Sequence, residues 1–123
     1  MSPKKILIID DDPGIVKVLV EQLTARGFDT ESANDGESGY IKACKTLPDV
    51  ILMDVVMPGW NGLYAANRLQ SEPPTAKIPI VFMTGLSDDN VSKKYLEQRK
   101  YLVILKPFKV DELLTILSND LGM

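Results

Sequence analysis

Histidine is absent from this 123-residue chain, and cysteine and tryptophan each occur once. Without histidine the chain has no Ser-His-Asp or Cys-His relay, no His-ligated zinc site and no phosphohistidine of its own. The lone Cys44 excludes an intramolecular disulfide and favours a reducing compartment. No apolar stretch nears the roughly 20 residues of a spanning helix, and Met1-Ser2-Pro3-Lys4-Lys5 has no signal-peptide pattern. A cytoplasmic setting with no membrane contact is expected. A basic cluster is missing too: the net charge is −3 and no run of Lys or Arg stands out, so direct nucleic-acid binding is not expected. Neither G-x-x-x-x-G-K-[ST] nor G-x-G-x-x-G occurs, which removes the usual nucleotide cradles.

What is present is a regular alternation of elements. Four short apolar runs each end on a polar residue: Ile6–Ile9 before Asp10-Asp11-Asp12, Val50–Met53 before Asp54, Ile80–Met83 before Thr84, and Leu102–Leu105 before Lys106. Runs rich in Ile and Val with no polar alternation read as strands buried on both faces, as in parallel sheets. Phe28–Ala33 alternates weakly and is expected to be an edge strand. Between the strands lie helical patterns. The first carries Ile15, Val18, Leu19 and Leu23, with Pro13 at its start and Gly27 at its exit. The second is capped by Asn34 or Asp35, has a stripe of Tyr40, Ala43, Cys44 and Leu47, and stops at Pro48. The third carries Leu63, Ala66 and Leu69 and is closed by Pro73-Pro74. A fourth is expected from Ser87 or Asp88 to about Arg99, and a fifth opens at Asp111-Glu112, where acidic residues suit the helix dipole. Five βα units predict one α/β domain over residues 1–123, a doubly wound sheet with helices on both faces. Cys44, Met53, Met57 and Met83 are expected to be packing residues.

Parallel strands point their carboxyl ends one way, and open α/β sheets place their sites at that edge. The terminal residues of the four runs should therefore converge. Three consecutive aspartates with Asp54 nearby repel one another unless a cation intervenes, and hard oxygen ligands in a hydrated setting suit Mg²⁺. The alternative is a solvated turn and helix start. Lys106, followed by Pro107 in what is expected to be an orienting cis peptide, would keep Asp54 ionised and stabilise charge on an attached group. The alternative is a salt bridge tying strand ends. Thr84 adds a hydroxyl. Together these groups describe phosphoryl transfer to an aspartate, with Asp54 as nucleophile and the donor supplied from elsewhere.

The segments Ile8-Ile9-Asp10-Asp11-Asp12-Pro13, Leu52-Met53-Asp54, Met57-Pro58-Gly59-Trp60-Asn61-Gly62, Met83-Thr84-Gly85 and Leu105-Lys106-Pro107-Phe108 resemble, in order and spacing, the receiver domain of bacterial two-component response regulators. The resemblance covers nearly the whole chain. It implies a flavodoxin-like (βα)5 sandwich with a five-stranded parallel sheet in the order 2-1-3-4-5. It implies that Asp54 is the phosphoacceptor, that Asp10, Asp11, Asp54 and the Val56 carbonyl hold Mg²⁺, and that Thr84 and Lys106 assist the transfer. Thr84 and position 103 would form the switch. The implied partners are a histidine kinase or histidine phosphotransfer protein as donor, and an output domain or target protein. A homodimer through the fourth helix, last strand and last helix is also allowed. The domain would be a regulatory phosphoacceptor that assists its own phosphorylation and hydrolysis, not an enzyme with a separate substrate.

Two departures stand out. Val103 occupies the position where this family usually carries Tyr or Phe; Tyr101, two residues earlier, is expected on the same side of the strand. Arg99-Lys100 replaces a common Gly-Ala pair and, with Lys93, Lys94 and Lys109, makes that face either more basic or simply a solvated helix surface. Trp60 is read equally as a partner-binding aromatic or as a loop cover. Apolar Val56 and Leu86 predict slow self-dephosphorylation. Two other functions are weighed: a Mg²⁺-dependent phosphohydrolase, which would need an acid where Val56 stands, and an interaction module that is not phosphorylated.

Overall fold

The computed structural model describes residues 4–85, 96 and 101–123. In chain order the elements are β1 (Lys5–Ile9), α1 (Pro13–Ala25), β2 (Asp29–Ala33), α2 (Gly36–Thr46), β3 (Val50–Asp54), α3 (Gly62–Ser71), β4 (Ile80–Gly85), β5 (Leu102–Lys106) and α4 (Val110–Leu121). The five strands form one parallel sheet in the order β2-β1-β3-β4-β5. This is the expected flavodoxin-like arrangement. The helix expected from Ser87 or Asp88 to Arg99 lies outside the described residues, apart from Leu96, which is helical and buried.

The apolar runs are strands because each faces helices on both sides. Leu7, Ile9, Ile51, Met53 and Phe82 point into a core shared with Ala65, Ala66 and Leu69 of α3, Ala43 of α2, and Leu96. Ile6, Ile8, Val50, Leu52, Val81 and Met83 point the other way, onto Leu19 and Leu23 of α1 and Leu113 and Leu117 of α4. Alternate residues of one strand thus enter two cores, which is why no polar residue interrupts the runs. The fourth run differs. As one of the sheet's two edge strands, β5 is buried only at Ile104.

Local signals set the helix ends. Asp12 caps α1 by accepting from the amides of Gly14 and Ile15 at 2.9 and 3.3 Å, and Pro13 starts the first turn. The chain leaves α1 through Gly27 at φ +92°. Asp35, one of the two expected caps, starts α2 by accepting from Ser38 N at 2.7 Å.

The inward face of α2 departs from the expected stripe. Cys44 and Leu47 are exposed, and Gly36, Gly39 and Ala43 are buried instead, with Tyr40 partly so. A Cβ on Gly39 would lie 2.5 Å from Ile9 Cδ1, and one on Gly36 2.6 Å from the Trp60 carbonyl. The helix packs close through glycines, and its larger apolar side chains turn outward. Met53, Met57 and Met83 are buried, as expected of packing residues.

A candidate phosphoacceptor site at the carboxyl edge of the sheet

The strand termini meet as the topology requires. β1 and β3 are neighbours, in a register that pairs Ile9 with Met53, so Asp10 and Asp54 both follow at the carboxyl edge. Asp10 is anchored twice: its amide donates to the Ala33 carbonyl at 3.2 Å, and its Oδ1 accepts from the Asp12 amide at 2.9 Å. Asp10 and Asp54 are buried, at 1% and 6% exposure, and Asp11 is exposed. One carboxylate oxygen from each of Asp10, Asp11 and Asp54 falls within a group no wider than 4.8 Å. Asp12 is not part of that group and serves as the cap of α1. The acidic run thus divides between ligand-like and structural roles, a division that residue type alone does not mark.

Lys106, at the end of β5, reaches this cluster from the far side. Its Nζ donates to Asp10 Oδ2 at 2.9 Å and lies 3.4 Å from Asp54 Oδ1. The ammonium therefore bridges both acids and is nearer to Asp10, whereas the sequence points to Asp54 as its partner. The Lys106–Pro107 peptide is cis. Burial works to lower the Lys106 pKa, but the hydrogen bond and charge of Asp10, with Asp54, outweigh it and hold the group above its ordinary value. Asp54 moves the opposite way to most paired carboxylates. Burial first, and the charge of Asp10 second, push it up to about 6, against the lowering influence of Lys106 and the Val56 backbone amide.

This excess of negative charge suits a cation. Three convergent carboxylates meet one ammonium, and an acid is pushed up by its neighbour's charge. A hard divalent ion bound by oxygen suits that donor set. The Val56 side chain is 61% exposed, which places its backbone at the rim beside Asp54. The loop carrying it is held by Val55 N to the Met83 carbonyl at 3.1 Å and Gly62 N to the Val55 carbonyl at 2.8 Å. Gly62 is required here, because a Cβ would collide with the Asp54 carbonyl oxygen and lie 3.0 Å from Val55 Cα.

Thr84 is buried inside β4, one residue beyond Met83, the register partner of Asp54, and is itself paired with Leu105. The sequence places the strand end just before it; the pairing continues through Gly85. Val103 and Tyr101 both pack on the α2/α3 side of the sheet, as their spacing predicts. Tyr101 meets Phe82 edge-on at 5.1 Å, and its hydroxyl donates to Gln70 Oε1 at 2.6 Å. Trp60 packs between Tyr40 and Tyr64, with centroids at 5.7 and 4.9 Å, and the Arg68 guanidinium stacks 5.0 Å above it. That cation–π contact carries no sequence signal, because it pairs a loop residue with a helix position. Leu86, Lys93, Lys94, Arg99 and Lys100 lie outside the described residues, so the basic-face reading does too; Lys109 is exposed. Among the described residues no helix is long and apolar enough to cross a membrane.

Comparison with known proteins agrees with this geometry. The family model for the response regulator receiver domain matches residues 6–118. Protein PilH of Pseudomonas aeruginosa is 35% identical over 120 residues, covering 96% of this chain and 98% of that protein. Response regulator PleD of Caulobacter vibrioides is 39% identical over 82 residues, which is 67% of this chain but 18% of PleD. The match to RpaA of Synechocystis likewise spans 46% of that protein, so several relatives are much longer than the region they share. Among solved structures, a response regulator from Chloroflexus aurantiacus superposes with TM-score 0.88 at 30% identity, covering 98% of this chain and 99% of that one. The receiver domain of sensor histidine kinase PA1611 from Pseudomonas aeruginosa superposes with TM-score 0.87 at 26% identity over 98% of this chain and 99% of its own. That structure holds a magnesium ion in its active-site cleft. The chain belongs to the response regulator receiver domain family of two-component signalling.

Proposed function

We propose that this domain is a phosphorylation-controlled switch in which Asp54 accepts a phosphoryl group from a phosphohistidine on a partner histidine kinase or phosphotransfer protein. The observation that supports it is the convergence of Asp10, Asp11, Asp54 and Lys106 at one edge, with the Lys106 ammonium within 3.4 Å of the Asp54 carboxylate. Asp54 ends a strand whose other residues are sealed in the cores, and its side chain, 9% exposed at the carboxyl edge, supplies the oxygen that would act as nucleophile. Lys106 neutralises charge that builds on the transferred group, and Thr84 supplies a hydroxyl at the adjacent strand end. Asp10, Asp11, Asp54 and the Val56 carbonyl would hold Mg²⁺, which neutralises phosphoryl oxygens when bound. The donor carries the phosphohistidine, because this chain contains no histidine.

Phosphorylation adds charge and acceptor oxygens at Asp54, and the segments bearing Thr84, Val103 and Lys106 relay the change to an output domain or target protein. The domain acts in the cytoplasm as a single unit spanning residues 1–123, without direct nucleic-acid or membrane contact. It assists its own phosphorylation and slow hydrolysis without turning over a separate substrate. A homodimer through the fourth helix, last strand and last helix belongs to the same proposal. Incubation with Mg²⁺ and acetyl phosphate, followed by intact mass measurement, tests the reading. A single base-labile phosphoryl adduct is expected, lost with EDTA and in Asp54→Asn. Repeated turnover of phosphate monoesters would instead favour a phosphohydrolase.

A further inference from the structure

A cavity opens beside the acidic cluster, lined by Asp10 and Asp11 but not by Lys106. It has a volume of about 630 Å³ and runs between α1, the end of β2 and α2. Asp54 and Thr84 do not line it either. Two lysines do line it, the exposed Lys17 on α1 and the half-buried Lys42 on α2. Lys42 is half-buried and donates to the Ser32 carbonyl at 2.7 Å. Among the described residues neither lysine is paired with a carboxylate. A partly buried lysine beside a polar cavity can take an anion as counter-charge. Here a neutral carbonyl takes one of its three donors. Asn34 adds a side-chain amide to the lining, and Ser38, whose amide and hydroxyl donate to Asp35, lies beside it.

We propose that this cavity binds a small phosphate-bearing anion through Lys17 and Lys42, at a place distinct from the group attached to Asp54. Two ammoniums and the Asn34 side-chain amide on one cavity wall are the donor types that the oxygens of a tetrahedral dianion accept from. Pro13, Val16 and Ala33 give the cavity an apolar side that fits the body of a phosphoester. Asp10 and Asp11 repel such an anion until their charge is offset, so its affinity rises with Mg²⁺ and, by linkage, the anion tightens Mg²⁺ binding by the same factor. This coupling rests on the reading of Asp10 and Asp11 as metal ligands; dependence on the two lysines does not.

The test is a ¹H–¹⁵N NMR titration of the wild-type protein with inorganic phosphate and, separately, phenyl phosphate, each with Mg²⁺ and with EDTA. Saturable shifts are expected at Ser32, Asn34, Ser38 and Lys42. The double substitution Lys17→Gln/Lys42→Gln weakens binding by about tenfold or more, the scale expected for removing a charge-assisted hydrogen bond, whereas Lys42→Arg retains it. Tighter binding of phenyl phosphate assigns the site to phosphoesters, and equal binding assigns it to the free anion. Shifts confined to Val56, Thr84 and Gly85, or binding unchanged in the double variant, would overturn the proposal. Acetyl phosphate labelling of the double variant keeps the two sites apart: labelling persists if the acceptor reading holds, whatever happens to the lysine site.

Discussion

Neutralising Asp54 makes the metal-free domain more stable at neutral pH, even though the substitution abolishes its proposed chemistry. The folded protein raises the Asp54 pKa from 3.8 to about 6, chiefly by burial and then by the charge of Asp10. A raised acid favours the folded state only while protonated. The contribution is fully present below the unfolded pKa and is lost as pH rises from there through about 6. At pH 7.5 the fold carries the full penalty of an ionised Asp54. A shift of about 2 units at 1.36 kcal/mol each sets a ceiling of about 3 kcal/mol. With a urea slope of about 2 kcal/mol/M, Asp54→Asn should raise the unfolding midpoint by about 1 M at pH 7.5 in EDTA. The gain should shrink greatly at pH 4, where the wild-type carboxyl is largely protonated when folded. Saturating Mg²⁺ should also narrow it, because a ligand of the native wild type stabilises that protein more than the substituted one. Equal or lower stability of Asp54→Asn at pH 7.5 in EDTA would refute the picture of a crowded acceptor.

Three other substitutions separate the roles within the edge. Lys106→Ala leaves buried Asp10 without its ammonium and should cost about 3 kcal/mol in urea unfolding without Mg²⁺, with acetyl phosphate labelling sharply reduced. Gly62→Ala puts a Cβ against the Asp54 carbonyl oxygen and Val55 Cα, backbone that cannot rotate away. It should cost about 2 kcal/mol or more by thermal or urea melt and slow labelling through displacement of Asp54. Asp12→Ala removes the cap of α1 and should cost about 1 kcal/mol, with the rate of labelling by acetyl phosphate little changed, because Asp12 serves the helix and not the acidic cluster.

Much of this is legible in the chain because the strands and the site share one signal. A run buried on both faces must end where the helices stop covering it, and the first polar residue after Ile9, Met53 or Leu105 marks that edge. Residue type alone does not divide Asp10, Asp11 and Asp12, since all three are acids near a helix start; the cap hydrogen bonds of Asp12 make the distinction. The face of α2 escapes a sequence reading because hydropathy registers Cys44 and Leu47 and is silent about Gly36 and Gly39, whose missing side chains let the helix approach Ile9 and Trp60. The partial exposure of β5 follows from its place at the sheet's edge, which composition does not encode. That Lys106 sits nearer Asp10 than Asp54 depends on strand spacing in three dimensions, and no motif reports it. The lysine pair of the cavity beside the acidic cluster is invisible in the chain for the same reason, since Lys17 and Lys42 belong to helices on opposite faces of the sheet.

The central claim is that Asp54, and no other carboxylate at this edge, takes the phosphoryl group. The most direct test is to label the protein with acetyl phosphate and Mg²⁺, reduce the acyl phosphate with borohydride, digest, and locate the modified residue by peptide mass spectrometry. Reduction to homoserine at position 54 alone is predicted. Modification at Asp10 or Asp11, or none under conditions that label a known receiver domain, would contradict it.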